Sequence, residues 1–155
     1  MSVIVTREKL RYSQLGRTVL KPTANEWRRW DKMRIGIYDQ RSGTEESGGT
    51  EVFIRGMAGK LANEHEIVLY TQAGNLLEEV INMDIKLVQV PRLTNSRYTV
   101  KHLAAKTPLK SAEIGSISMY LSARVNGIFE QMAKKVDVIS THYYLDNIFI
   151  SRSLN

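Results

Sequence analysis

The chain has no cysteine among its 155 residues. That single absence removes disulfides, thiolate zinc sites and cysteine nucleophiles, and it leaves no sign of a small secreted scaffold. Histidine is scarce as well: His65, His102 and His142 are the only three, too few for a histidine-rich metal centre, and no metal is expected. No apolar run approaches the roughly 20 residues needed to cross a bilayer. The N-terminus MSVIVTREKL becomes charged too early for a signal peptide, so a cytoplasmic setting is the expectation. What remains is an ordinary globular composition: 43% hydrophobic and 25% charged residues supply one core and argue against wholesale disorder.

The net charge of +6 suggests a nucleic-acid binder until its distribution is followed. Residues 1–32 hold eight of the 22 basic side chains and three of the 16 acidic ones; the rest of the chain holds 14 and 13. The body is therefore nearly neutral and the basic character belongs to an extension, so no nucleic acid is expected as a partner. The chain divides near Lys32, into a basic N-terminal extension (1–32) and a domain (33–155). The extension has poor periodicity. It reads as a loosely packed arm, or as an interfacial anchor in which Trp27-Arg28-Arg29-Trp30 meets the headgroups of a membrane's inner face. Packing of Trp27 and Trp30 on the domain is the third reading.

From Met33 strands alternate with helices. Met33–Tyr38 is a short apolar run of the kind buried on both faces of a parallel sheet. Residues 50–63 read as a helix with Val52, Phe53, Met57 and Leu61 inside and Glu51, Arg55 and Lys60 outside. Strands at 65–71, 84–91 and 136–140, a short helix at 75–83 and a weak last helix at 145–154 follow. Thr107-Pro108 reads as an N-cap and first helical residue. It opens one long helix to Lys134-Lys135, whose buried stripe is Ile114, Ile117, Leu121, Val125, Ile128, Phe129 and Met132. The pattern predicts an α/β, Rossmann-like three-layer sandwich with a mainly parallel sheet in the order 3-2-1-4. The fourth strand is apolar enough to expect a neighbour on its outer edge, supplied by an oligomeric partner or by the N-terminal arm.

Parallel sheets bind ligands at the carboxyl ends of their strands, beside the point where the winding reverses. Two segments fall there, the loop from Asp39 to Thr50 and residues 140–147. The first ends in Ser47-Gly48-Gly49-Thr50, where a glycine pair at a helix start suits a phosphate or a sugar hydroxyl. A plain tight turn uses the same residues. The loop carries neither the dinucleotide fingerprint nor a Walker sequence. His142, just after the fourth strand, is placed to hydrogen-bond a substrate or to serve the structure alone. His65 opens a strand after a turn and reads as turn packing, and His102 has no assigned role.

These residues resemble a known family. The first strand, Gly48-Gly49-Thr50-Glu51, Leu61-Ala62, Glu64-His65-Glu66-Ile67-Val68 and Thr71 look like the opening of a family 4 glycosyltransferase of the GT-B fold, with Glu64 in place of the usual glycine. Asp137, Val138, Ile139 and His142 match the family's Asp-Val-Ile-His-x-His segment, with Ser140 standing where its first histidine is found. The resemblance implies a metal-independent, retaining hexosyl transfer from a nucleotide-sugar donor to a sugar, lipid or small-molecule acceptor. It implies that Gly48 and Gly49 lie near the donor phosphates and the acceptor, with Thr50 and Asp39 as neighbours, and that His142 contacts the transferring sugar as the candidate catalytic residue. The family's second, donor-binding domain has no counterpart before Asn155. The expectation is thus an acceptor-side portion, inactive without that domain, and the alternative is a non-catalytic nucleotide- or partner-binding α/β domain.

Overall fold

A computed structural model of the chain describes residues 2–5, 32–44, 48–93 and 110–154, with Lys106 and Pro108. The Trp27–Trp30 cluster, Ser47, His102 and Thr107 lie outside the described residues. The elements run β1 (Ser2–Val5), β2 (Arg34–Tyr38), α1 (Gly49–Ala62), β3 (Glu66–Gln72), α2 (Glu78–Ile81), β4 (Lys86–Val90), α3 (Ser111–Val125), α4 (Ile128–Lys135), β5 (Val138–Thr141) and α5 (Tyr144–Leu154). They form one five-stranded sheet in the order β1-β5-β2-β3-β4. Strands β2 to β5 are mutually parallel, so the 3-2-1-4 order predicted for the four domain strands is what the protein has. Strand β1 pairs antiparallel with the outer edge of β5, from Ser2 opposite Thr141 to Val5 opposite Val138. Of the two covers foreseen for that edge, the structure has a segment of the N-terminal arm.

The period-two alternation of the strands separates two apolar layers. Ile35 and Ile37 of β2 and Ile67 and Leu69 of β3 pack with Ile54 and Ala58 of α1 and Val80 of α2 on one face. Tyr38, Val68, Tyr70, Val90 and Ile139 pack on the other face against Met119 and Ala123 of α3, Phe129 and Met132 of α4, and Ile150 of α5. Each of these buried aliphatic side chains contributes roughly 1.5–3 kcal/mol by leaving water. Gly36 occupies its position because a Cβ there would press on Val136 and Tyr70 at 3.3–3.4 Å.

Three sequence expectations are corrected. The face of α1 is rotated: Glu51, Ile54, Arg55 and Ala58 are buried, whereas Val52 and Phe53 are 55% and 62% exposed. The reason is polar: Glu51 and Arg55 turn inward to hold the preceding loop, and the apolar pair is carried outward with the helical period. The long helix is two helices. It breaks at Asn126–Gly127, where Gly127 takes φ 64°, a left-handed conformation that favours glycine. Leu121 and Val125 therefore face solvent, and Met119 and Ala123 supply the buried stripe instead. Helix α3 starts at Ser111 rather than after Thr107, because the Lys110 backbone N–H is capped by the Glu113 carboxylate at 2.8 Å.

Candidate functional site

The carboxyl ends of β2 and β5 are neighbours in the sheet, and the chain leaves them toward different helices. After Tyr38 the backbone turns sharply around the buried carboxylate of Asp39. Its Oδ2 accepts hydrogen bonds from the Ser42 N–H (2.8 Å), the Arg41 N–H (3.1 Å) and the Ser42 hydroxyl (2.5 Å), a local turn that aspartate makes well. Gly43 then lies against the end of β3. Its N–H donates to Thr71 Oγ1 at 3.3 Å, and a Cβ there would come within 2.6 Å of Thr71 Cγ2. The Thr71 hydroxyl in turn donates to the Gln40 carbonyl at 3.2 Å.

Helix α1 grips this loop. Arg41 pairs with Glu51 at 2.5 Å, the Gly48 N–H donates to Glu51 Oε2 at 2.8 Å, and Arg55 donates to the Ser42 carbonyl at 3.4 Å. Burial pushes the Glu51 carboxyl upward, but the backbone N–H groups of Glu51 and Gly48 and the Arg41 guanidinium outweigh it and hold the group below the usual carboxylate range. A negative charge therefore already sits at the positive end of α1. Gly48, Gly49 and Thr50 are exposed. A Cβ on Gly49 would meet nothing within 4 Å, and on Gly48 only Glu51 Oε2 at 3.1 Å. Gly49 is not demanded by packing and leaves open space at the helix start, whereas Gly48 makes room for the Glu51 carboxylate that accepts its N–H.

Alternation along β5 turns Ser140 and His142 toward α1 and Thr141 toward α5. Ser140 Oγ is 3.4 Å from His142 Nε2, and the imidazole meets Phe53 edge-on with ring centroids 6.3 Å apart. Phe53 lies one turn beyond Gly49, so His142 and the start of α1 share the end of the sheet where the reversal of winding between β2 and β5 opens a crevice. Burial lowers the His142 pKa, while the Asp39 carboxylate pulls it back up, which also places Asp39 within electrostatic reach of the ring. The predicted site residues Asp39, Gly48, Gly49, Thr50 and His142 thus gather at one end of the sheet. His65 and Asp137 do not. The Met33 N–H donates to His65 Nδ1 at 3.5 Å, and Asp137 Oδ2 accepts the Arg34 N–H at 2.9 Å; both serve the opposite end.

Sequence reasoning missed Phe53, assigned to the core, and Asp146, unremarked in the first turn of the last helix. Asp146 is 2% exposed. Burial drives its carboxyl up to about 7, with the Asp39 carboxylate adding to the rise and the Ser116 hydroxyl opposing it. An acid in the first turn of a helix is so commonly a surface residue complementing the dipole that nothing in the sequence marks this one as buried. Among the described residues no group of three or more His, Asp or Glu could hold a metal ion, and no helix is long and apolar enough to cross a membrane. No protein-family model, no curated protein and no solved structure matches the chain.

Proposed function

We propose that the chain is the acceptor-side α/β half of a glycosyltransferase that moves a hexosyl group from a nucleotide-sugar to a hydroxyl-bearing acceptor. The observation that carries this reading is the edge-on packing of His142 against Phe53 at 6.3 Å beside the open Gly48–Thr50 helix start. An exposed aromatic ring offers an apolar face to the C–H groups of a sugar. A lowered pKa keeps the imidazole neutral near pH 7, able both to donate and to accept a hydrogen bond from a sugar hydroxyl. The open space at Gly49, where a Cβ would meet nothing within 4 Å, allows the ligand to approach the main chain closely. A binder of nucleotide phosphate alone is less well supported, since Glu51 already neutralises that helix end.

In the transfer, the bond from the sugar's anomeric carbon to the phosphate oxygen breaks, and the phosphate leaves with the electron pair. The acceptor oxygen forms the new bond and its proton passes to the departing phosphate. This chain's share is to orient the sugar and acceptor; in the two-domain arrangement the resemblance implies, the nucleotide is held by the other domain. The test is calorimetric or NMR titration of the purified chain with UDP-glucose, other nucleotide sugars and free hexoses, alongside a transfer assay. Binding of the sugar moiety without turnover is expected, and His142→Ala should weaken it about tenfold, the loss of one good hydrogen bond. Failure of every sugar to bind, or binding unaltered by His142→Ala, would remove the reading.

A further inference from the structure

Ser140 places a hydroxyl where the sheet is otherwise apolar. It is 3% exposed and lies opposite Ile37 in the parallel register of β2 and β5, so its side chain is on the face where Ile35, Ile37 and Ile54 pack. Alanine would fit that face with no polar group to satisfy, and a buried hydroxyl left alone is costly. Among the described residues its one hydrogen-bond partner is His142 Nε2, at 3.4 Å, two residues along the same face. The direction of this bond follows from what each group has left. A hydroxyl carries one proton and two lone pairs, and a neutral imidazole carries one N–H and one bare nitrogen. Were the ring to donate, the serine proton would be a buried donor with no acceptor among the described residues, and orphaned donors are rarer in folded proteins than under-used acceptors. With Ser140 donating to Nε2, the ring proton sits on Nδ1.

We propose that Ser140 is a positioning residue that locks His142 in its Nδ1–H form, so that the imidazole meets its ligand as a hydrogen-bond donor. The two ring nitrogens diverge, so the Nδ1–H cannot reach Ser140, and no described residue accepts it. His142 is half-buried, and this N–H is the one polar group of the ring left for a ligand. Of the two capacities of a neutral imidazole, donation is the one turned to the crevice, and acceptance is already used within the chain. Resting on the sugar-binding reading of that crevice, this narrows the group that His142 recognises to an acceptor oxygen of the sugar. It also separates His142 from the proton of the transfer, because a ring whose bare nitrogen is occupied does not take a proton from the acceptor hydroxyl.

The experiment reads the protonation of the two His142 ring nitrogens by long-range ¹H–¹⁵N NMR at pH 8 in the full chain, in Ser140→Ala and in Ser140→Thr, and then titrates each with glucose and UDP-glucose. The parent is expected to show the Nδ1–H pattern, Ser140→Ala a mixture of the two forms, and Ser140→Thr, which keeps the hydroxyl, the parent pattern again. A fall of the Nδ1–H form to about one third in Ser140→Ala weakens sugar binding about threefold, and Ser140→Thr restores it. A merely structural serine would change stability and leave the ring protonation where it was. The proposal is overturned if the parent carries the proton on Nε2, or if Ser140→Ala, shown folded by its amide spectrum, keeps the parent pattern. In either case sugar binding that still depends on His142 leaves the crevice reading standing. If the Nδ1–H form is locked by Ser140 but neither sugar binds, the crevice reading falls, and the assignment of a sugar oxygen to His142 falls with it.

Discussion

Burial raises the Asp146 carboxyl to about 7, and the Asp39 carboxylate adds to the rise, so the folded chain keeps a proton over a range in which the unfolded chain has lost it. The unfolded group titrates near 4, so stability is greatest below that pH as far as this group is concerned. It is lost progressively as pH rises toward about 7. Asp146→Asn removes this dependence. The variant should match the parent at pH 4 and exceed it by up to about 4 kcal/mol at pH 8; urea midpoints at pH 4, 6 and 8 measure it, and an advantage that does not grow with pH would contradict the assignment. His142 has the opposite sign. Burial lowers its pKa below 6.5 against the pull of Asp39, so its contribution is present above pH 6.5 and disappears as pH falls below it. In Asp39→Asn, which keeps an oxygen to hold the Arg41–Ser42 turn, the opposing charge is gone. The NMR titration midpoint of His142 should therefore move further down, and an unchanged or higher midpoint would show that Asp39 does not reach the ring.

At the scale of elements, α1 shows what pattern reading captures and where it stops. Its existence and its ends were legible from Val52, Phe53, Met57 and Leu61 following the helical period, but its orientation was not. Two apolar residues at the site end are exposed because Glu51 and Arg55 have a stronger claim on the interior, and no hydropathy pattern weighs a specific ion pair against a phenylalanine. That same rotation is what brings Phe53 to His142. Glu51→Ala removes both the Gly48 cap and the Arg41 pair and should cost about 1–2 kcal/mol, with faster amide exchange at Gly48. Glu51→Gln, which can still accept from Gly48, should lose less. The break between α3 and α4 was hidden because Asn126-Gly127 interrupts an apolar stripe only briefly, and the left-handed φ of Gly127 is invisible in a period count. Gly127→Ala should destabilise by about 1 kcal/mol through that conformation, read in the same denaturant titrations; an unchanged midpoint would mean the junction relaxes freely into a continuous helix.

For the whole molecule, the parallel order was legible because strand–helix alternation with short connections leaves few topologies, and the same rule brought Asp39, Gly48 and His142 to one end without any contact being known. The burial of Asp146 was not legible, since it depends on which face the strand ends present and on a helix returning over it. The edge of β5 was legible as a need but not in its solution. The need follows from the apolar run Val138-Ile139-Ser140-Thr141 with one free side. Backbone groups of Ser2–Val5 meet that side in antiparallel register with Val138–Thr141, which removes a row of unpaired donors and acceptors next to the strand that carries His142. Deleting residues 1–5 restores the open edge. The shortened chain should then associate through β5, giving a larger, concentration-dependent species by light scattering and a lower thermal midpoint than the parent. On the proposed sugar-binding reading it should also weaken sugar binding at the crevice, because a β5 held on one side alone positions His142 less rigidly. A monomer with an unchanged midpoint would show that β1 contributes nothing to the sheet, and an associated chain with undiminished binding would show that the β5 edge and the crevice are independent.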